Sequence, residues 1–375
     1  MKISRTAGDS LPEKSSAEIV ASIDDLLTEI FVRLPLNSLI HFKSVSKHWD
    51  SLISNLGIYH FRNPKPNPAI GLIFQCLNAT DHPHVLFFNK SIRKLNFTKD
   101  FCPRGITILN SCYGLLVCHS NKRRGIYYIF NPTTNKYSTI PQLDGGHWIQ
   151  DSVCGMILAF DPSKSPHYKV VCVLGLGDVM GQYKFEVYSS KTSSWRKYGE
   201  PFTAEVNFQN GVYWNGSIHW ISFSKTGKSF YLNPDDDARM PKVMPTPPRQ
   251  DMISTDKYYF GESCDHLHFI GRIKTWKEII NVYEMMRDYS EWFVKYTVDL
   301  SFNSYYIGHS FPICTLVRGK KDDDTFLILR TMRKILQYNL ACGTFEIIDE
   351  LDDVERHVKF RAEFSFQYIE CLGSA

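Results

Sequence analysis

No run among the 375 residues approaches the roughly 18 consecutive apolar side chains that a membrane span needs. Residues 1–21 lack the apolar core of a secretory signal, and Glu13 and Glu18 argue against a transit peptide, so this polar opening is expected to be a disordered tail. Charge of one sign is scarce too: 43 Lys and Arg against 39 Asp and Glu leave a net of +4. The compact basic run, Lys122-Arg123-Arg124, reads as a solvated hairpin tip. The sequence therefore predicts no nucleic-acid partner and no membrane partner. Ten Cys occur without paired spacing. Reduced thiols, and a location in cytoplasm, nucleus or both, are expected.

Motifs of catalysis are equally sparse. There is no Walker loop and no Gly-x-Ser-x-Gly elbow. Gly175-Leu176-Gly177-Asp178 departs from the dinucleotide fingerprint in spacing and has no helical pattern after it, so it reads as a strand-end turn. Asp235-Asp236-Asp237 and Asp322-Asp323-Asp324 lack the glycine and spacing of a calcium loop and read as loop tips. Cys264, His266 and His268 alternate along one expected strand face, but ligands so close together in β geometry do not wrap a tetrahedral zinc. Residues 241–248, rich in proline, read as an extended surface loop. No catalytic residue, no metal and no cofactor is expected, and no residue is assignable to substrate binding.

What the chain does have is a dense set of apolar side chains at helical spacing in residues 22–56. Leu26, Leu27, Ile30, Phe31 and Leu34 fall on one face of a helix opened by Ser22, with Asp25 three residues on in a capping pattern. Pro35 cannot donate and disfavours helix at Leu34, so the chain breaks and restarts with Leu36, Leu39, Ile40 and Val45. Ser46 is expected to cap a third helix carrying Trp49, Leu52 and Ile53. Three short helices are too small to bury these stripes alone, so the rest of the chain or another protein must cover part of them.

Asp25-Leu26-Leu27, Glu29-Ile30, Arg33-Leu34-Pro35, Ser38-Leu39, Phe42-Lys43-Ser44-Val45-Ser46-Lys47 and Trp49 with Ser51-Leu52-Ile53 together resemble an F-box, the motif that docks the Skp-type adaptor of cullin-RING ubiquitin ligases. The chain departs from that pattern at Ser22-Ile23, where Leu-Pro is usual, and at Ser46, where Cys is common. The resemblance implies adaptor contacts by Ile23, Leu26, Ile30, Leu34, Pro35, Leu36, Leu39, Val45 and Trp49.

Asn63-Pro64-Lys65-Pro66-Asn67-Pro68 cannot continue a helix and reads as a semi-rigid spacer. The predicted order is thus tail 1–21, helical module 22–62, linker 63–68 and a β domain 69–375. Beyond the linker the apolar period shortens from 3.6 to 2, in runs such as 70–74, 114–117, 126–130, 155–160 and 211–221. An aromatic strand, an Asn-, Asp- or Ser-rich turn and a second aromatic recur around Asn131, Asp161, Ser190 and Asn339. In such hairpins Asn or Asp opens the turn with its own side chain and the aromatics pair across strands. Their irregular spacing suits the blades of a propeller, about six, with unequal loops. Val358, Phe360, Ala362, Phe364, Phe366 and Tyr368 alternate with polar residues in a last strand, whose edge is hidden if it joins the first blade.

These pieces resemble, in order, the F-box-associated domain found behind F-boxes in plants: Ser111-Cys112-Tyr113-Gly114-Leu115 with Asn131-Pro132-Thr133-Thr134, Phe160-Asp161-Pro162 with Tyr168-Lys169-Val170, Tyr188-Ser189 with Ser194-Trp195-Arg196, Val212-Tyr213-Trp214 through Trp220, and Tyr368-Ile369-Glu370-Cys371-Leu372. The two resemblances together imply an α+β multidomain chain, an N-terminal three-helix F-box followed by a mostly-β, propeller-like (kelch-like) domain. They imply a non-catalytic subunit that recruits an unknown protein substrate to a Skp–cullin–F-box ligase. Two other readings stay open. One is a propeller-type small-ligand binder or enzyme, which a titratable cluster in the central channel would favour; the other is a scaffold that binds the adaptor without promoting degradation.

Overall fold

In a computed structural model, the described residues are 15–34, 36–54, 68–74, 83–89, 91–95, 105–121, 125–143, 152–177, 181–224, 226–236, 240–248, 258–272, 279–300, 312–319, 321–331, 334–350, 365–373 and 375. The chain divides into two compact units, Met1–Pro64 and Lys65–Ala375. Among the described residues no helix is long and apolar enough to cross a membrane.

The first unit is helical: α1 (Ser16–Ala21), α2 (Asp24–Arg33), α3 (Leu36–Phe42) and α4 (Lys47–Ser54). Residues 1–14 of the expected tail lie outside the described residues, and Ser16–Ala21 form a helix. Its capping box is formed by Ser15 and Glu18, each side chain accepting from the other's backbone N–H. Ser22, expected to open the next helix, instead closes this one by donating its hydroxyl to the Ile19 carbonyl at 2.7 Å. Helix α2 starts behind Ile23 with no side-chain cap; Asp24 and Asp25 in its first turn and Arg33 in its last complement the helix dipole instead. Ser46 does cap α4, its Oγ accepting from the Trp49 N–H at 3.0 Å. Within this unit Leu27, Phe31, Leu39 and Ile53 are buried. The rings of Phe31, Phe42 and Trp49 meet edge-on or tilted at 6.2, 5.2 and 5.5 Å.

The second unit is a six-bladed β-propeller, six four-stranded antiparallel sheets. Blade 1 contains β1 (Gly71–Phe74), β2 (His84–Phe87) and β3 (Ile92–Lys94). Blade 2 is β4 (Ile106–Cys112), β5 (Leu115–Ser120), β6 (Tyr127–Asn131) and β7 (Lys136–Ile140). Blade 3 is β8 (Val153–Ala159), β9 (Lys169–Gly175), β10 (Gln182–Ser189) and β11 (Ser194–Thr203). Blade 4 is β12 (Val212–Trp214), β13 (Ser217–Trp220), β14 (Ser229–Leu232) and β15 (Lys242–Met244). Blade 5 is β16 (Tyr258–Ser263), β17 (His266–Arg272), β18 (Ile279–Met285) and β19 (Trp292–Asp299). Blade 6 is β20 (Ile313–Val317), β21 (Phe326–Arg330), β22 (Lys334–Asn339) and β23 (Phe345–Glu350). The last strand, β24 (Ser365–Tyr368), returns to blade 1 and pairs with β1, with Gly71 opposite Tyr368 and Phe74 opposite Ser365. Strands β4, β8, β12, β16, β20 and β24 line the centre, each touching the next, so the ring is closed.

Propeller strands are covered on both faces by neighbouring blades, which explains why several read as continuous apolar runs. In β1, Leu72 and Phe74 pack with Cys314, Ile328 and Ile335 of blade 6, while Ile73 packs with Ile106, Leu116 and Phe130 of blade 2. The turns between third and fourth strands repeat one local device. The side-chain oxygens of Asn89, Asn131, Asn233, Asp288 and Asn339 each accept from a backbone N–H two residues on, at 2.8–3.2 Å. At Asn131 and Asn339 it is the aromatic–turn–aromatic pattern visible in the sequence. Three inner hairpins turn on residue pairs with φ > 0 at both positions, Tyr113-Gly114, Asn215-Gly216 and Cys264-Asp265.

Ring closure is reinforced beyond the strand pair. Gln367 Nε2 donates to the Glu262 carbonyl at 3.0 Å and to Thr315 Oγ1 at 2.9 Å, joining β24 to blades 5 and 6. The following residues run on to blade 2, where Asn131 Nδ2 donates to the carbonyls of Cys371 and Gly373 at 3.0 and 2.7 Å. The expected strand positions Val358, Phe360, Ala362 and Phe364, the basic run at 122–124 and most of the expected linker lie outside the described residues.

Candidate functional site

Helix α2 carries apolar side chains on more than one face, and the structure separates them. Leu27 and Phe31 point into the helical unit, 3% and 1% exposed, whereas Ile23, Leu26 and Ile30 are 40%, 44% and 43% exposed. Positions 23, 26 and 30 fall about one helical turn apart and form a single outward row. Val45, between α3 and α4, is 60% exposed. Leu34, Leu36 and Trp49 are half-buried. Leu39, expected among the contacts, is fully buried within the unit. Pro35 lies outside the described residues. Ion pairs brace the unit, Arg33 to Glu29 at 2.6 Å along α2 and His48 to Asp24 at 2.9 Å between α4 and α2, both on the surface, where such pairs add little.

The propeller offers a second candidate surface, its central channel, a cavity of about 1200 Å³ between the six inner strands. It is lined by Tyr113, Tyr213, Tyr258, Tyr259, Glu262 and Gln367 among others. Cys112 and Cys314 also belong to its lining, and burial pushes the Cys112 thiol well above the ordinary range and that of Cys314 up to about 12. That is the reverse of what activates a nucleophilic cysteine. No sequence motif marks Glu262; the available signal was a lone Glu beside the aromatic run Tyr258-Tyr259-Phe260.

Cys264, His266 and His268 do not share a strand face. Cys264 sits in the turn between β16 and β17 with φ 49°, and its thiol donates to the Arg318 carbonyl at 3.0 Å. His266 and His268 instead converge on Glu284 of β18, at 2.8 and 3.5 Å, and Arg318 reaches the same carboxylate at 2.7 Å. Burial alone would raise Glu284, but hydrogen bonds from the two histidines outweigh it and hold the carboxyl well below the usual range. Among the described residues no cluster of three His, Cys, Asp or Glu has the geometry to hold a metal ion.

The sequence was compared with known proteins. A family model described as the F-box domain matches residues 23–61, and one described as the F-box associated beta propeller domain matches residues 79–235. Among curated proteins of Arabidopsis thaliana, F-box protein At5g07610 is 29% identical over 96% of this chain and 94% of its own length. F-box protein At5g49610 is 24% identical, covering 84% and 87%, and putative F-box/kelch-repeat protein At1g12870 is 25% identical, covering 90% and 86%. Among solved structures, TolB from Acinetobacter baumannii aligns with a TM-score of 0.40 at 7% identity, over 73% of this chain and 64% of that one.

Proposed function

From a chain built as an N-terminal F-box followed by a six-bladed β-propeller, we propose a substrate-recruiting subunit of a Skp–cullin–F-box ubiquitin ligase. The F-box docks a Skp-type adaptor, and the propeller binds a protein substrate in the cytoplasm, the nucleus or both. The subunit transfers nothing itself. Holding both partners raises the local concentration of substrate at the ligase and turns an encounter between separate molecules into one within a complex.

The observation that carries this reading is the outward row Ile23, Leu26 and Ile30 inside the segment matched as an F-box. Each of these side chains is about half exposed, so covering it removes from water about half of a full side chain, worth about 1 kcal/mol apiece. With Val45, that gives about 4 kcal/mol, no more than the lower end of an association penalty of about 4–15. The half-buried Leu34, Leu36 and Trp49 must therefore contribute, and little affinity is in reserve.

One bad change in the row should then abolish binding. Leu26→Asp, at an exposed helical position, is expected to leave the circular dichroism spectrum unchanged and to eliminate pull-down of a Skp-type adaptor. Leu39→Ala acts differently, destabilising the helical unit by about 2–5 kcal/mol and weakening binding only through unfolding. Full adaptor binding by a folded Leu26→Asp protein would sink this interface. For the propeller, affinity purification with and without proteasome inhibition should enrich substrates only under inhibition; a set of retained proteins indifferent to inhibition would favour a scaffold.

A further inference from the structure

We propose that the central channel of the propeller binds a small organic ammonium ion, held by the Glu262 carboxylate at the end of β16 and by the tyrosine rings around it. The site belongs to the propeller alone and stands apart from the adaptor and substrate reading above.

The cavity, about 1200 Å³, has room for such an ion with its hydration. Its described lining contains five tyrosines, no Lys or Arg, and Glu262 as its sole carboxylate. One oxygen of that carboxylate accepts from the Asp265 N–H at 2.6 Å, which fixes the side chain. The other oxygen has no protein partner among the described residues. The groups set around Glu262 from the neighbouring elements are Cys112 at the end of β4 and Tyr113 after it, Asp161 after β8, Tyr213 of β12, Thr315 of β20 and Gln367 of β24. None carries a positive charge. Burial, with the charge of Asp161, pushes Glu262 up to about 8, the behaviour of a carboxyl enclosed without a counter-ion. Burial also raises Tyr113, Tyr213 and Tyr259, so their rings stay neutral and present electron-rich faces. A carboxylate lacking a counter-ion, ringed by tyrosines, is complementary to an ammonium group through charge and cation–π attraction. No Lys or Arg lines the cavity to draw an anion, and burial lowers His119, the imidazole in the lining, so that it stays neutral near pH 7.

The test is calorimetric titration of the full chain with choline, beside 3,3-dimethylbutan-1-ol, which has the same shape and no charge. Choline should bind saturably, and the neutral analogue at least about tenfold more weakly. Glu262→Gln keeps an acceptor for the Asp265 N–H and should weaken choline at least about tenfold. Tyr213→Leu should weaken it while Tyr213→Phe preserves it. Because the ion displaces a proton from Glu262, affinity should climb with pH until about 8 and then level. No saturable heat, equal affinity for the neutral analogue, or no effect of Glu262→Gln would each overturn the site. Should Glu262→Gln fail to fold, the choline and analogue pair on the unaltered chain decides.

Discussion

Asn131 does two jobs with one amide. Its oxygen accepts from the Thr133 and Thr134 N–H groups to form the blade 2 turn, and its nitrogen donates to the Cys371 and Gly373 carbonyls. It is fully buried. Asn131→Ala should therefore cost about 2–4 kcal/mol in urea unfolding, from lost hydrogen bonds and two stranded carbonyls. Asn131→Asp retains the turn oxygen but aims a second acceptor at those carbonyls, so it should be no less damaging than Ala; a milder effect would mean that the turn, not the latch, is what matters. The first job was legible in the sequence because an Asx turn is local, but the second joins residues 240 apart. The outward row of α2 was half legible for a related reason. Neighbouring helical positions lie about 100° apart, so a tally of Leu and Ile at i, i+3 and i+4 merged Leu26 and Ile30 with Leu27 and Phe31, which face the other way. Only packing separates them, and the same packing buries Leu39 completely.

Among elements, the seam between blades 4 and 5 shows how burial of a titratable group couples strand packing to pH. His219 of β13 is fully buried, stacked on Tyr231 and on Tyr289 of blade 5, with ring centroids 5.6 Å apart in both pairs. The Val212 carbonyl, 3.2 Å from Nδ1, can only accept, so Nδ1 carries the proton and Nε2 accepts from the Tyr289 hydroxyl at 2.9 Å. Burial pushes this histidine down to about 3. An unfolded histidine titrates near 6.5, so between those values the unfolded chain binds more protons and stability falls as the solution is acidified. The slope should reach about 1.4 kcal/mol per pH unit below pH 6 and flatten above pH 7. Denaturant unfolding at pH 7.5, 6 and 5 checks this, and the extra loss should shrink in His219→Asn. An identical acid slope in that variant would assign the effect elsewhere. Residues 211–221 read as one strand-like run, yet the chain turns back within it at Asn215-Gly216, so this hairpin was missed although Asn-Gly is a common turn pair. The one at Cys264-Asp265 was missed too, because Cys does not signal φ > 0 and was read as part of the strand.

The whole molecule depends on an edge being hidden. Residues 365–373 supply the inner strand of blade 1, the Gln367 bridge to blades 5 and 6, and the tail held by Asn131. Removing residues 365–375 deletes the buried Tyr368, a loss of about 3–5 kcal/mol by itself against a typical total of about 5–15. Hydrogen-exchange protection should then collapse throughout the propeller, including the blades of Asn131 and Trp195. Protection surviving in those two blades would show that the blades stand as a linear stack. Closure was legible because an alternating last strand demands a partner; the latch on blade 2 was not, since it rests on one side chain meeting two distant carbonyls. The pairing of β24 with β1 also sets a clock. At ribosomal speeds of about 5–20 residues per second, β1 leaves the tunnel roughly 15–60 s before the strand that completes its blade. For that interval Leu72, Phe74 and an unpaired backbone edge are open to other nascent chains, so the window in which this protein can aggregate is governed by the duration of translation more than by how fast a finished chain folds.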